Sequence, residues 1–185
     1  MNNRLVAHLE AQLNDYLAEL TTIAGMDSYS FEPEDVNHVV DWLETRLLAL
    51  GCTVERYSQP TAGDNLRADK FGSGVGRITL LGHSDTVFPR GTAAQHPLTF
   101  QGDAILGPGT CDMKAELLTG IYAVEALDAL GFRDYERITF GAYPLIASNR
   151  REFLAYTCCE GISPLLYCFD IGRRIDHPAL LVISM

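Results

Sequence analysis

The stretch LLGHSDTVFP, running from Leu80 to Pro89, decides how this chain is read. Ile78, Leu80 and Leu81 form the short apolar run typical of a strand buried inside an α/β sheet. His83 falls where that strand is expected to end. In an extended segment, side chains two apart point the same way, so His83 and Asp85 can share one side of the chain. A carboxylate beside an imidazole fixes its tautomer and raises its basicity, which is what a metal-ligating histidine usually receives from its neighbours. A bare His-x-Asp, taken alone, reads first as a histidine that caps a strand end beside a turn.

Asp112 lies 27 residues beyond Asp85, in GPGTCDMKAELL from Gly107 to Leu118. A glycine-rich turn delivers it to the start of a helix, where aspartate is a favoured N-cap. The two roles are compatible, since one carboxylate oxygen can accept backbone N–H bonds while the other faces a cation. Lys114, one turn inside that helix, reads as a solvated surface charge.

Around this centre the periodicities alternate between helix and strand. Leu5, Leu9, Leu13, Tyr16 and Leu20 recur at helical spacing, with Gly25 as a stop. Pro33 suits a first helical position, and Val36, Val40, Leu43, Leu47 and Leu50 make an apolar face before Gly51. Residues 52–57 alternate as a strand would. The segment 61–76 reads as a turn: Gly72, Gly74 and Gly76 are spaced like a phosphate loop, but a dinucleotide fingerprint needs its strand before the glycines, and here the strand follows. Leu117, Ile121, Val124 and Leu127 predict a third helix closed by Gly131, and residues 138–143, 165–169 and 179–183 predict further strands, with a weak helix over 150–156. The expected fold class is α/β, without internal repeats or a dividing linker.

The totals narrow the function. A chain of 185 residues with 47% hydrophobic content can bury one core, so one domain is expected. Fourteen basic against 24 acidic side chains give a net charge of −10, which repels phosphate backbones and anionic membrane surfaces. Neither nucleic acid nor membrane is an expected partner. The start MNNRLVAHLEAQ carries Arg4, His8 and Glu10 where a signal peptide needs an apolar core, and no stretch approaches the roughly 20 apolar residues that span a bilayer. Five cysteines, Cys52, Cys111, Cys158, Cys159 and Cys168, lack the spacing of a zinc knuckle or disulfide scaffold and read as reduced thiols of a cytoplasmic protein.

The strings LLGHSDTVFP and GDAILGPGTCDMKAELLTGIYAVEAL, in this order and at this separation, resemble the zinc-dependent metallopeptidase and amidohydrolase family. That family includes glutamate carboxypeptidase, aminoacylase, acetylornithine deacetylase and succinyl-diaminopimelate desuccinylase, and the glutamate carboxypeptidase branch is the most similar. The likeness extends over the opening helices and GFRDYERITF, from Gly131 to Phe140. It implies a three-layer sandwich whose mixed, mostly parallel sheet is flanked by helices. It also implies metal-dependent hydrolysis of an amide or peptide bond, with two zinc ions that cobalt or manganese could replace, acting on a small molecule or peptide with a free carboxylate. Complete family members are homodimers.

By the same resemblance, His83 corresponds to a terminal ligand of one zinc and Asp112 to the carboxylate bridging both. Asp85 corresponds to the catalytic-site aspartate that orients His83. The segment LLYCFDIGRR is similar to a family strand ending in an acidic zinc ligand, which would be Asp170. The family's Asp-Glu-Glu run, carrying the general base and a further ligand, has no counterpart: after Phe140 the chain reads GAYPLIASNRREFL, and no two glutamates are adjacent anywhere. Glu152 is the nearest later glutamate and reads as solvent-facing, and His177 does not fit the remaining ligand. The resemblance thus presents residues 1–185 as the N-terminal portion of a catalytic domain, truncated before the dimerisation domain and the C-terminal ligand. Activity is expected to be impaired, the alternative being a non-catalytic remnant or a peptide- or metal-binding protein. The cysteine-rich run from Cys158 to Cys168 fits a mis-read gene region as well as a divergent one.

Overall fold

The computed structural model describes residues 2–144 and two further strands, Leu165–Cys168 and Leu180–Val182. Its opening segment is helical, in two pieces where the sequence predicts one: α1 (Asn2–Ala11) and α2 (Leu13–Ala24). At the junction the Gln12 N–H is shared between the carbonyls of His8 and Leu9, a local tightening that re-aims the chain without leaving right-handed backbone. Gly25 closes α2 as expected. α3 (Pro33–Ala49) begins with Pro33 in its first turn, where the missing N–H costs nothing, and Gly51 follows it at φ +79°.

The strands are β1 (Thr53–Tyr57), β2 (Asn65–Phe71), β3 (Arg77–His83), β6 (Arg137–Tyr143), β7 (Leu165–Cys168) and β8 (Leu180–Val182). Between β3 and β6 lie a short α4 (Thr92–Gln95), a hairpin of β4 (Thr99–Gln101) and β5 (Ala104–Leu106), and α5 (Lys114–Ala129). The main sheet runs β1-β2-β6-β3-β7-β8. β6, β3, β7 and β8 are parallel neighbours, while β2 is antiparallel to both β1 and β6. The sheet is therefore mixed and mostly parallel, flanked by helices.

β2 lies inside the segment that reads as a turn. Its alternation is real, with Leu66 and Ala68 in the core and Arg67 and Asp69 on the other face, but one apolar core position is only an alanine and Arg67, Asp69 and Lys70 are charged. The opposite face satisfies those charges: Arg67 pairs with Asp69 at 2.8 Å, and the Thr139 hydroxyl donates to Asp69 at 2.6 Å. The helix over residues 150–156 predicted from the sequence lies outside the described residues.

The core forms where α2, α3 and α5 converge on one face of the sheet. Leu20 and Ile23, Val36, Val39, Val40, Leu43 and Leu47, and Leu117, Leu118, Ile121 and Val124 pack with Leu66, Ala68, Ile138, Phe140 and Ala142. Arg46 ties the three helices at the core's edge through Glu19 at 3.0 Å and Glu125 at 2.5 Å. α5 is the crossover from β3 to its parallel neighbour β6, so it lies directly under β3. Gly82 permits this closeness, because a Cβ there would come within 2.6 Å of Leu117 and 2.7 Å of Met113. Among the described residues no helix is long and apolar enough to cross a membrane.

Candidate metal centre

β3 alternates, so Ile78, Leu80 and Gly82 face α5 while Thr79, Leu81 and His83 face the other way. His83 is the last residue of the strand, at the carboxyl end of the parallel strands, where open α/β sheets place their ligand crevices. It pairs in register with Tyr143 of β6, and the Ser84 N–H donates to the Tyr143 carbonyl at 3.1 Å. The next turns of chain leave the sheet from this edge.

The imidazole is held at both nitrogens. Nδ1 lies 2.9 Å from the Asp85 carbonyl and 3.2 Å from Asp85 Oδ1. Both are acceptors, so Nδ1 carries the hydrogen. Nε2 lies 2.7 Å from Asp112 Oδ1, bridging 29 residues of sequence. In the neutral ring Nε2 presents its lone pair, the atom a metal would take. Asp85 is buried, its side chain 1% exposed, whereas the Asp112 side chain is 64% exposed. The pair thus has a fixed inner half and an open outer half. Burial alone would lower the His83 pKa, but Asp85, and then Asp112, outweigh it and push it up to about 9.

Asp112 is not the helix cap that its position suggests. Met113 holds the N-cap position of α5, with no side-chain capping bond, and the Asp112 carboxylate turns to His83 instead. The Asp112–Met113 peptide bond is cis. Met113 is buried, and its sulfur accepts the His83 backbone N–H at 3.2 Å. One turn on, Glu116 is half-buried, and its carboxyl pKa is raised by burial and by Asp112 against the opposing influence of its own backbone N–H and His83.

Lys114 is the clearest departure from the sequence reading. Far from being a solvated charge, it is 1% exposed and among the largest fully buried side chains. Its signal lay in α5 itself, where Leu117-Leu118 and Ile121-Tyr122 put apolar side chains on two faces at once. A helix with apolar side chains on two faces is covered on more than one side, and Lys114 falls on a covered one.

Asp170 and Glu152 lie outside the described residues, as does His177. The strand before Asp170 is described: β7 pairs with β3 in parallel, with Cys168, two residues before Asp170, opposite Leu81, two residues before His83. Among the described residues no group of three or more His, Cys, Asp or Glu side chains comes together as a metal site. Cys52 and Cys111 are free thiols, and burial pushes the Cys52 pKa up to about 11.

A mixed α/β sheet whose central strand ends in an oriented imidazole with a facing carboxylate is the arrangement of α/β proteins that gather metal ligands at strand ends. The family model described as Peptidase family M20/M25/M40 matches residues 79–144, the stretch that holds all three side chains. The chain is 30% identical to carboxypeptidase G2 of Pseudomonas sp. (strain RS-16) over 122 residues, 65% of this chain and 29% of that protein. It is 32% identical to acetylornithine deacetylase of Proteus mirabilis over 161 residues, 84% of this chain and 38% of that one. Human carnosine dipeptidase 1 shares the fold, with a TM-score of 0.76 at 19% identity over 92% of this chain and 41% of that structure. Over residues 79–144 this chain is therefore similar to the M20/M25/M40 peptidases, and it spans 29% and 38% of the length of the two relatives described.

Proposed function

We propose that the chain carries part of a zinc-dependent centre for hydrolysing amide or peptide bonds, with His83 and Asp112 as metal ligands and Asp85 as the residue that orients His83. The observation behind this reading is the His83 Nε2–Asp112 Oδ1 approach of 2.7 Å, with Nδ1 already committed to Asp85. The donor set fits zinc in kind: an imidazole nitrogen with its tautomer fixed, a carboxylate oxygen, and a carboxylate behind the imidazole. In number it supplies two of the roughly four ligands zinc takes. Asp170 is our candidate for a third, on the strength of the β7–β3 register.

Zinc bound there would supply Lewis acidity, polarising an amide carbonyl and making water acidic enough to attack it near neutral pH. Asp85 keeps the Nδ1 hydrogen in place, so His83 meets a cation with Nε2 and not as a freely rotating ring. Asp112 is largely exposed, and among the described residues its second oxygen has no hydrogen-bond partner. The family's adjacent glutamates are missing from the sequence, so no residue here is assigned as general base, and we expect turnover lowered by about 10² to 10⁴ relative to a complete site. We read residues 1–185 as the N-terminal portion of the catalytic domain, acting in the cytoplasm on small N-acyl-amino acids or peptides with a free carboxylate.

Zinc titration of the purified chain and of His83→Ala, followed by hydrolysis of a panel of N-acyl-glutamates, tests the reading. Wild-type protein should bind zinc at least about 100-fold more tightly than His83→Ala. Equal affinities would remove His83 from the centre, and full-rate turnover that His83→Ala abolishes would refute the lowered activity.

A further inference from the structure

The three side chains of the centre stand on the end of β3 with the loop that follows it and on the loop before α5, and one short turn holds both loops. The turn runs from Met26 to Ser30, between α2 and α3. On one side it grips the loop that leaves Asp85: the Thr86 N–H donates to the Ser28 carbonyl at 2.7 Å, and the Ser30 N–H and hydroxyl both donate to the Thr86 carbonyl at 3.0 Å. Asp27 holds the same loop further on, accepting the N–H groups of Gly91 at 2.6 Å and Ala93 at 3.0 Å. Both oxygens of its carboxylate are therefore engaged.

On its other side the turn meets Lys114. The Lys114 ammonium donates to the Met26 carbonyl at 2.5 Å, and Asp27 is the charge that acts on it. The loop before Asp112 wraps this side chain. The Lys114 N–H donates to the Gly109 carbonyl at 2.8 Å, and a Cβ on Gly109, at φ +77°, would come within 2.8 Å of Lys114 Cδ. Only a residue without a side chain lets the loop close over the lysine stem. Among the described residues the Asp112 side chain has one hydrogen-bond partner, His83, and it is mostly exposed. Its position is thus set by its neighbours in the chain more than by its own contacts.

Burying an ammonium is costly, and an apolar side chain of similar length would fill the space without that cost. What the apolar side chain would lack is the donor to Met26. We propose that Lys114 is a positioning residue that, with the Met26–Ser30 turn, forms a clamp setting the separation between His83 and Asp112. The inference rests on reading those two as a ligand pair, but the clamp itself is a geometric claim about the metal-free protein.

The test uses the metal-free protein first. In a ¹⁵N–¹H spectrum of the His83 ring, the Nε2 hydrogen bond to Asp112 gives a shifted signal that Asp112→Asn should remove. Lys114→Met should remove it too, while the melting temperature stays level or rises; a wild-type ring signal in Lys114→Met overturns the clamp. Where Lys114→Met does not fold, Asp27→Ala carries the same test with the same two outcomes. Cobalt(II) titration then reads the consequence, an affinity lower by about 10- to 100-fold in Lys114→Met, and unchanged affinity there also counts against the clamp. Wild-type protein that binds cobalt no better than His83→Ala defeats the ligand-pair reading alone, because the ring signal still decides the clamp.

Discussion

Two clusters in this molecule are built from the same parts, one cation facing several carboxylates, and they serve different ends. At the outer edge of the sheet, Arg56 reaches Asp41 at 2.5 Å, Glu44 at 3.2 Å and Asp64 at 2.6 Å. At the strand ends, His83 reaches Asp85 at 3.2 Å and Asp112 at 2.7 Å. The carboxylates hold the Arg56 guanidinium above its ordinary pKa even though burial opposes them. A guanidinium does not give up its proton and has no lone pair to offer, so the cluster can only be a salt bridge, tying α3 to β1 and to the loop before β2. An imidazole in the same electrostatic company can release a proton and accept a metal in its place. The identity of the cation, not the number of carboxylates, separates structural from chemical use.

The largest test of this contrast is the pH dependence of stability. The His83 pKa is about 9 in the folded protein against an ordinary value of 6.5, so the folded state holds a proton that the unfolded chain releases between those values. Its stabilising contribution is complete below about pH 6.5 and is lost as pH rises through 9, a change on the order of 3 kcal/mol. Lys114 acts in the opposite sense: its pKa is lowered to about 8 by burial, against 10.5 ordinarily, so stability recovers as pH rises from 8 toward 10.5. Urea unfolding of metal-free wild type and His83→Gln cancels the lysine, and the gap between them should close from pH 6 to pH 10. A gap that holds constant would mean that Asp85 and Asp112 do not favour the charged ring. Arg56→Met should leave the shape of the wild-type pH profile unchanged over the same range.

A smaller effect separates the two clusters by function. Asp85→Asn keeps the shape of the orienting side chain but removes its charge, and should weaken zinc binding by about 10- to 100-fold in a calorimetric titration. Asp64→Asn, the corresponding change beside Arg56, should leave zinc affinity unaltered. If both variants lose zinc equally, the two clusters are not distinct. The smallest effect belongs to the edge. Arg56→Met should cost about 1 kcal/mol of stability, less at high salt, since its partners are partly exposed. A loss that is insensitive to salt would show the cluster to be more than a screened surface network.

Much of the fold was legible because its signals are local. The apolar spacing from Val36 to Leu50 and from Leu117 to Leu127 marks α3 and α5, and Gly25, Gly51 and Gly131 stand where these helices and α2 end. β2 was missed because its core face needs only Leu66 and Ala68 once β1 and β6 cover its edges, so the strand is created by pairing more than by its own composition. His83 and Asp85 were legible as a pair two residues apart. Asp112 was legible by its position as a cap and by family resemblance as a metal ligand, and the structure gives the cap position to Met113.

The sequence by itself determined which groups are available: an imidazole at a strand end, carboxylates two residues and 29 residues away, and an apolar pattern that folds as α/β. Those properties depend on side-chain chemistry and spacing along the chain. Only the tertiary structure decided that His83 and Asp112 meet at 2.7 Å, that Lys114 is interior, and that the Met26–Ser30 turn holds both loops. Distances and burial of this kind arise from packing α2 and α5 against each other and β3 against α5, contacts between segments far apart in sequence, which no local pattern encodes.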